Sequence, residues 1–410
     1  MSTVSSPAGP LDGIRVLEVG TLISGPFAGR LLGDMGAEVI KIEPPGAPDP
    51  LRPWGQAELD GHHFFWTVHA RNKKAVTLDL RVPRGRDLFL ELVEKSDIIV
   101  ENFRPGVMDR FGLGYSELAK IKPELVYCTI SGFGSTGPYA NRGGFDLVAQ
   151  GMSGLMSIPG HPDRPPAKVG VPITDISAGL LAANGVLCAY IHAQRTGQGQ
   201  MVDTSLMEAG ISYTVWESSG YFPDGNIPAP LGSAHRVSAP YQALSTSDGH
   251  INIGAATQPT WEQFCRAIGQ EALIEDPRFK IPGDRKKREV ELAALLEETL
   301  TQKTTKEWLD LLESAGVVAG PIYNMEQVYQ DPQTQARGMR VVLEDPELGT
   351  LHNIGIPVKL SVTPGSIRRR APALGEHSSE LLREAGFYQE EITALLESQV
   401  VTEGGNGSGR

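Results

Sequence analysis

The fold is decided by the stretch IRVLEVGTLISGPFAGRLLGDMGAEVIKIE, which spans residues 14–43. Its first six residues form the short apolar run that is typical of a buried strand, and a loop containing glycine follows. Residues 27–35 are predicted to form a helix that ends at Gly36. A second apolar run, 37–43, closes the stretch. A strand, a helix and a strand in this order predict a β-α-β unit with a right-handed crossover.

The same alternation continues beyond this unit. Short apolar runs indicate strands, and the longer segments between them indicate helices. Such alternation predicts an α/β domain with a mostly parallel sheet. The predicted strands are 76–80, 97–101, 125–130 and 200–203, and the predicted helices are 84–95, 115–121, 175–194 and 205–218.

A change in sequence character after residue 221 predicts a second, smaller domain. A segment rich in Pro and Gly is expected to be a linker. A hairpin pattern at 241–253 and helical segments after it indicate an α+β domain. The predicted divisions are 11–221 for the N-terminal part of the large domain, 222–234 for the linker, 235–325 for the small domain, 326–401 for the return to the large domain, and 402–410 for a disordered tail.

The composition indicates a soluble protein that binds neither nucleic acid nor membranes. The 410 residues include 37 Lys and Arg against 49 Asp and Glu, and the resulting net charge of −12 disfavours nonspecific binding to such polyanions. Three cysteines lie far apart in the sequence, which fits a reducing compartment. The first residues lack the apolar core of a signal peptide, and the apolar run 179–191 is too short to span a bilayer. We therefore expect a cytoplasmic location.

Several common motifs of catalysis are missing from the sequence. There is no G-x-S-x-G elbow, no H-E-x-x-H and no P-loop, and the nine histidines lack metal-ligand spacing, so no metal site is predicted. One G-x-G-x-x-G motif, 132–137, follows a predicted strand, but Pro138 and Tyr139 come next instead of a helix. A nicotinamide-dependent dehydrogenase, or a nucleotide-binding module without catalysis, is therefore a weak alternative.

Asp175 lies at the predicted start of the longest helix and allows two interpretations. It can be an N-cap whose carboxylate accepts backbone N–H bonds. It can also be a nucleophile that forms an acyl anhydride, kept ionised by the free N–H groups of the helix start. The periodicity of the sequence does not choose between the two.

Nine short segments, taken together and in order, resemble the class III CoA-transferases, the relatives of formyl-CoA transferase and of crotonobetainyl-CoA:carnitine CoA-transferase. The α-methylacyl-CoA racemases share the fold of this family. The matching segments run from residue 11 to about residue 401. They are LDGIRVLEVG, SGPFAGRLLGDMGAEVIKIEPPG, NKKAVTLDL, VENFRPGVMDRFGLGY, SGFGSTGPYANRGGFDLVAQGMSG, TDISAG, RTGQGQMVDTSL, GVVAGPI and APALGEHSSELL.

The resemblance implies a fold, an assembly and a reaction. A Rossmann-like large domain is built from both ends of the chain and joined to a small domain, and two such chains interlock as a homodimer. The substrates are an acyl-CoA and a small carboxylic acid, and no tightly bound cofactor is expected. The reaction passes through an aspartyl anhydride and an aspartyl-CoA thioester.

The resemblance also assigns roles to particular residues. The nucleophilic aspartate falls on Asp175. Several positions of the family's CoA site are matched, and two further arginines in the same loops would add positive charge for the CoA phosphates. The residues expected to bind CoA are Asn72, Lys73, Asn102, Phe103, Arg104, Arg110 and Arg142.

Departures from the family patterns concern the acid substrate. Formyl-CoA transferase has a Gln near the oxalate where this chain has Ile23, and its run of consecutive glycines is replaced here by residues 232–236. An arginine in that loop can pair with a second carboxylate, or it can be a solvated loop residue. We therefore expect dicarboxylic acids such as succinate, malate or glutarate rather than oxalate, with succinyl-CoA as a donor.

A racemase is the other alternative that the resemblance leaves open. The racemases need a catalytic His where this chain has Phe145, which cannot exchange a proton, so this alternative is disfavoured. The predicted substrate-loop residues are Ile23, Ser24, Phe145, Asp146, Gly232, His235 and Arg236.

Overall fold

The computed structural model describes residues 9–54, 58–59, 62–345 and 348–404. The chain divides into two compact units. The second unit includes a short segment from the middle of the chain, which the sequence alone did not place there. The first unit is Met1–Leu155, Val169–Tyr213 and Pro332–Arg410, and the second is Met156–Lys168 and Thr214–Asp331.

Strands are short throughout the described residues, as the apolar runs of the sequence predict. They are β1 (Arg15–Glu18), β2 (Glu38–Glu43), β3 (Glu58–Leu59), β4 (His62–His63), β5 (Lys73–Thr77), β6 (Ile98–Glu101), β7 (Val126–Ser131), β8 (Met201–Ser205), β9 (Tyr241–Ser245), β10 (His250–Gly254), β11 (Ala319–Pro321), β12 (Arg340–Asp345) and β13 (Gly349–Ile354).

Helices alternate with these strands and vary widely in length. They are α1 (Ser24–Asp34), α2 (Phe64–His69), α3 (Pro83–Glu94), α4 (Val107–Arg110), α5 (Tyr115–Ile121), α6 (Asp146–Met152), α7 (Ile173–Thr196), α8 (Leu206–Ser212), α9 (Val215–Asp224), α10 (Gln258–Ala267), α11 (Ala272–Glu275), α12 (Pro282–Lys287), α13 (Glu289–Leu300), α14 (Thr305–Ser314), α15 (Met325–Gln330), α16 (Pro332–Ala336), α17 (Ser378–Ala385) and α18 (Gln389–Glu397).

A six-stranded parallel sheet organises the first unit, which confirms the predicted α/β fold. Its strand order is β5-β2-β1-β6-β7-β8, and every neighbouring pair is parallel. Strands β1 and β6 are adjacent at the centre of the sheet. After β1 the chain adds β2 and β5 on one side, and after β6 it adds β7 and β8 on the other. The strand order therefore reverses between β1 and β6, and open α/β sheets bind ligands at such a point, outside the carboxyl ends of the strands.

Both faces of this sheet are covered by helices. On β1, Val16 packs into a cluster with residues of α1 and α7, whereas Leu17 packs into a cluster with residues of α3, α17 and α18. The 24-residue α7 is long and apolar enough to cross a membrane, but Ala178, Ala182 and Val186 are fully buried in the first of these clusters. Its composition is therefore that of a core helix.

The second unit has its own core and a small antiparallel sheet. The order of the sheet is β11-β10-β9, and β9 and β10 form the predicted hairpin. Fully buried Trp261 and Phe264 on α10 pack with residues of α13 and α14 beside this sheet. Thr257 and Thr304 begin α10 and α14 with capping boxes, which satisfy the first N–H groups of each helix.

Three local differences from the sequence-based expectations concern β5, the helix after β8 and the C-terminal tail. The strand expected at 76–80 instead begins at Lys73, because buried ion pairs allow two lysines inside it. The helix expected at 205–218 is divided into α8 and α9. In the predicted tail, Thr402 donates its N–H to Thr77 Oγ1 at 2.6 Å and so joins the large unit, whereas residues 405–410 lie outside the described residues.

Candidate active site

The loops that follow β1 and β6 are bonded to each other where the strand order reverses. Asn102, after β6, accepts a hydrogen bond from the Thr21 N–H at 2.8 Å and donates to the Thr21 carbonyl at 2.7 Å. It also donates to Ser24 Oγ at 3.1 Å. Gly20 must be glycine here, because a Cβ would lie 2.6 Å from Asn102 Oδ1. One side chain therefore fixes the first loop against the second.

Buried charges lie beneath the first loop. Glu18 pairs through one oxygen with Lys41 Nζ at 3.1 Å and through the other with Lys73 Nζ at 2.7 Å. Lys41 also pairs with Asp49 at 2.9 Å. The two ammonium groups donate to the carbonyls at positions 20 and 26, each at 2.8 Å. Burial alone would lower the pKa of Lys41, but Glu18 and Asp49 outweigh it and raise that pKa.

The first loop is also held at its most constrained residue. Leu22 has a φ of 61°, in the left-handed region that non-glycine residues rarely adopt. Its N–H donates to Asp49 Oδ1 at 3.1 Å, and its carbonyl lies 3.2 Å from His69 Nε2. Burial, together with the charge of Lys73, lowers the pKa of His69 to about 3, so the neutral imidazole donates at Nε2. These contacts define one conformation for the loop.

Helix α7 carries Asp175 against this framework. Gly179, one turn further along, allows a close approach, because a Cβ there would lie 2.8 Å from the Ser24 carbonyl oxygen. The helix begins at Ile173 with Pro172 as its N-cap, so Asp175 is the third helical residue and does not cap the helix. The N-cap interpretation of Asp175 is therefore not what the structure shows.

A second carboxylate, that of Asp146, is bonded to the start of α7. Asp146 is the first residue of α6, and its Oδ1 accepts from Thr174 N at 2.9 Å and from Thr174 Oγ1 at 2.8 Å. Its Oδ2 accepts from Gln150 Nε2 at 2.7 Å. Gln150 Oε1 in turn accepts from Val169 N at 2.9 Å. This network joins α6 to the residue that immediately precedes Asp175.

The environment of Asp175 favours its protonated form. Burial of the side chain, and then the negative charge of Asp146, raise its pKa to about 7. This differs from the expectation that helix N–H groups keep the carboxylate strongly ionised. Within the described residues, no hydrogen bond or ion pair holds the Asp175 carboxylate. The group therefore exchanges its proton near neutral pH and can react as a basic carboxylate.

Two of the predicted CoA-binding residues, Asn72 and Lys73, are buried and fully used inside the first unit. Asn72 donates to Asp34 Oδ1 at 2.8 Å and to the Ser366 carbonyl at 2.9 Å, and it accepts from Arg368 N at 2.7 Å. Lys73 is paired with Glu18, as described above. Their observed contacts are structural, because neither side chain reaches the surface.

Asn102 and Phe103 also have structural contacts. The Asn102 amide is hydrogen-bonded to both the N–H and the carbonyl of Thr21 in the first loop. The Phe103 ring packs on the core cluster beside the sheet. The Phe103 N–H donates to Glu101 Oε2 at 2.7 Å. Burial raises the pKa of Glu101 to about 7.

The three predicted phosphate-binding arginines, Arg104, Arg110 and Arg142, are exposed. The Arg142 guanidinium lies over the rings of Phe133 and Tyr139, at 5.5 and 5.4 Å from their centres. A Cβ on Gly143 would lie 2.9 Å from Arg104, so Arg104 lies beside the loop of Arg142. The G-x-G-x-x-G motif, which contains Phe133, therefore supports an arginine instead of opening a helix.

The predicted substrate-loop residues fall in both units. In the first unit, Ile23 precedes α1 as its N-cap, Ser24 is buried, and Phe145 precedes α6 with 69% of its surface exposed. Asp146 is bonded to Thr174, as described above.

In the second unit, each of the three loop residues contacts another residue of that unit. Gly232 donates its N–H to the Gly160 carbonyl at 2.8 Å. The His235 ring lies 5.5 Å from that of Trp216, and the Arg236 Nε donates to Glu217 Oε1 at 3.0 Å.

Sequence reasoning missed Thr174 and Gln150. A partial signal exists, because Asp146 and Gln150 are spaced i, i+4 on one helix. The contact to Thr174 depends on the tertiary fold and has no local signal. Among residues 9–54, 58–59, 62–345 and 348–404, no cluster of His, Cys, Asp and Glu could hold a metal ion.

Comparisons with known proteins identify close similarities over nearly the full length. The family model described as CoA-transferase family III matches residues 11–378. Succinyl-CoA–D-citramalate CoA-transferase of Chloroflexus aurantiacus is 39% identical, over 96% of this chain and 98% of that protein. Succinate–glutarate CoA-transferase of Agrobacterium fabrum is 36% identical, over 92% and 95%. A solved CAIB/BAIF family protein of Brucella suis is 37% identical, with a TM-score of 0.83 over 92% of this chain and all of that one.

The raised pKa predicts how Asp175→Asn changes stability. A carboxyl group whose pKa rises from 3.8 when unfolded to about 7 when folded costs stability as pH rises through that window, because the folded state disfavours its ionised form. Asp175→Asn removes this cost. We expect it to stabilise the protein by about 2–4 kcal/mol at pH 8 and by much less at pH 4.5. Urea unfolding at both pH values, with exposed Glu117→Gln as the matched control, measures this. A gain of equal size at both pH values would contradict the raised pKa.

Proposed function

This chain belongs to CoA-transferase family III, and we propose on that basis that Asp175 forms the covalent intermediates through which CoA moves from one carboxylic acid to another. The chain is a CoA-transferase that uses an acyl-CoA as its substrate. The observation that carries the role of Asp175 is its position: a carboxylate in the first turn of α7, beside the loop at the reversal of strand order, without a partner among the described residues.

In the first half of the proposed reaction, Asp175 takes CoA from the donor. An Asp175 oxygen attacks the thioester carbonyl of the acyl-CoA, the C–S bond breaks, and CoA leaves as a thiolate. The product is a mixed anhydride between Asp175 and the donor acid. The thiolate then attacks the aspartyl carbonyl carbon, and the donor acid leaves as a carboxylate. Asp175 is now an aspartyl-CoA thioester.

In the second half, the acceptor reverses these steps. The acceptor carboxylate attacks the aspartyl thioester, and the CoA thiolate leaves again. The thiolate attacks the acyl carbon of the acceptor in the new anhydride, which releases the new acyl-CoA and the Asp175 carboxylate. No water is consumed, so water must be kept from the anhydride. The tightly bonded loop 20–26 gives the site a fixed wall for this purpose.

Replacing the nucleophile should abolish transfer without unfolding the protein. We expect Asp175→Ala to retain less than about a hundredth of wild-type activity, since loss of an essential nucleophile usually costs more than that. Intact-mass spectrometry after incubation with succinyl-CoA should show an adduct of one CoA, less one water, on the wild type and none on the variant. Hydroxylamine should remove the adduct. Substantial activity in Asp175→Ala would rule out this mechanism.

The exposed arginines supply the positive charge that CoA requires. We propose that Arg104, Arg110 and Arg142 bind its phosphates, since an acidic protein needs a local basic surface for a phosphorylated ligand. All three belong to the first unit: Arg104 and Arg142 lie in loops, and Arg110 ends α4. Stacking on two rings orients Arg142. Asn72, Lys73 and Asn102 contribute by fixing the loops, as their contacts indicate.

Arg110→Ala should weaken CoA binding by roughly 1.5–3 kcal/mol if the guanidinium bonds a phosphate. It should affect an acyl-pantetheine thioester, which lacks the nucleotide, far less. Calorimetric titration with CoA and kinetics with the truncated thioester measure the two effects, and exposed Arg81→Ala is the matched control. Equal losses with both ligands would place Arg110 outside the phosphate site.

We propose that the acid substrates are dicarboxylic acids. The names of the Chloroflexus aurantiacus and Agrobacterium fabrum relatives include succinyl-CoA or succinate, and Ile23 replaces the Gln of formyl-CoA transferase. Arg236 remains a proposed partner for the second carboxylate. Its observed partner is the Glu217 carboxylate, so a substrate would have to share or replace that pair.

Wild-type enzyme should therefore prefer succinyl-CoA to butyryl-CoA. The two donors have equal length, and loss of a desolvated charge pair should cost on the order of 2–5 kcal/mol in transition-state binding. The ratio of kcat/KM for the two donors measures this preference, with oxalate and glutarate compared as acceptors. A preference for butyryl-CoA, or for oxalate over glutarate, would contradict the proposal.

We also propose that the protein is a homodimer and that it is located in the cytoplasm. On α7, Leu180, Leu181 and Ile191 are each 44–50% exposed, and such an apolar surface on a soluble chain favours association. A second copy of the chain would cover it, interlocked as the family resemblance implies. Sedimentation velocity measures the mass in solution, and a monomer at micromolar concentration would contradict the dimer.

A further inference from the structure

The carboxylate of Asp146 is bonded directly to Thr174, at the start of α7. Three hydrogen bonds end on its carboxylate: two from Thr174 and one from Gln150. Gln150 and Thr174 are fully buried. These donors hold both oxygens of Asp146 and keep the carboxylate in one orientation. The site therefore contains one carboxylate that is bonded in place and one, Asp175, that is free to react.

We propose that Asp146, held by Gln150 and Thr174, is a positioning residue that fixes the first turn of α7 and holds its own carboxylate near Asp175. This rests on the proposed role of Asp175 as the nucleophile. Three hydrogen-bond donors hold the Asp146 carboxylate in place. Its charge in turn disfavours the ionised form of Asp175, so the free Asp175 carboxylate is a stronger base than an ordinary aspartate.

The same charge favours the covalent intermediates. In the anhydride and in the thioester, Asp175 carries no charge, so the repulsion from Asp146 disappears when either forms. Asp146 therefore raises the free energy of the resting carboxylate without an equal penalty on its acylated forms. The consequence is that Asp175 is protonated, and unreactive, at a pH where an isolated aspartate would be fully ionised.

Besides Asp146, the groups that pack near this turn include a carbonyl, an aromatic ring, a hydroxyl and the carboxylate of Glu208. From α1, the atoms nearest to Gly179 are the Ser24 carbonyl and the Phe27 ring. From beyond α8, the Tyr213 hydroxyl lies 2.5 Å from Ser177 Oγ. Glu208, on α8, is bonded to Ser205 Oγ at 2.6 Å. Among the described residues, Asp146 is the charge that acts on the protonation of Asp175.

The pH dependence of kcat/KM tests this assignment. In the wild type, activity should fall on the acid side with an apparent pKa near 7, since only ionised Asp175 attacks. Asp146→Asn keeps an oxygen that can accept from Thr174 but removes the charge. We expect the acid limb to move down by about one pH unit. Because burial is the larger cause of the raised pKa, the limb should stay above that of a free aspartate. Exposed Glu117→Gln, the matched control, should leave the limb unchanged.

A second pair of variants tests the positioning role, including the case in which Asp146→Asn does not fold. Thr174→Val removes the hydroxyl donor at 2.8 Å, and it should lower kcat more than it changes KM. Thr174→Ser should restore kcat. An unmoved acid limb in folded Asp146→Asn, or failure of Thr174→Ser to rescue Thr174→Val, would overturn the inference. The proposed function fails separately, because only an active Asp175→Ala contradicts the nucleophile.

Discussion

The pairing of Glu18 with Lys41 and Lys73 is the interaction on which the functional end of the sheet depends. These fully buried side chains join β1, β2 and β5, and their ammonium groups also bond carbonyls of the loop after β1. Removing one partner from such a set leaves an uncompensated buried charge, which costs several kcal/mol. The loop in turn meets Asn102 and the start of α7. The position of Asp175 thus depends on charges buried beneath the loop.

The apolar runs of the sequence were sufficient to predict the parallel sheet, because burial on both faces leaves a continuous hydrophobic signal in β1, β2, β6 and β7. The apolar runs did not predict the correct start of β5, because Lys73 and Lys74 are its first residues. A lysine inside a strand becomes stable only with its acidic partners, and Glu18 and Glu38 are distant in sequence. Pairing between distant residues has no periodicity that a single sequence can show.

In the candidate site, too, some features could be predicted from the sequence and others could not. Asp175 was identified through the resemblance of its segment to a family, but its protonation could not be predicted. Helix N–H groups suggested a strongly ionised carboxylate, whereas burial and Asp146 act in the opposite direction and dominate. The predicted CoA residues separated in the structure: Asn72 and Lys73 are buried, Asn102 is partly buried and bonded to the first loop, and the arginines are exposed. Sequence similarity does not report burial, so it could not distinguish the buried residues from the exposed arginines.

The central claim is that Asp175 becomes acylated in every turnover, and the fate of carboxylate oxygen tests it most directly. In the proposed reaction, the acceptor carboxylate attacks the aspartyl thioester, and the thiolate then cleaves the anhydride at the acyl carbon of the acceptor. One acceptor oxygen must therefore remain on Asp175. After turnover with ¹⁸O-labelled glutarate, mass spectrometry of the peptide containing Asp175 should show ¹⁸O on that residue. Formation of labelled acyl-CoA without label on Asp175 would contradict the account.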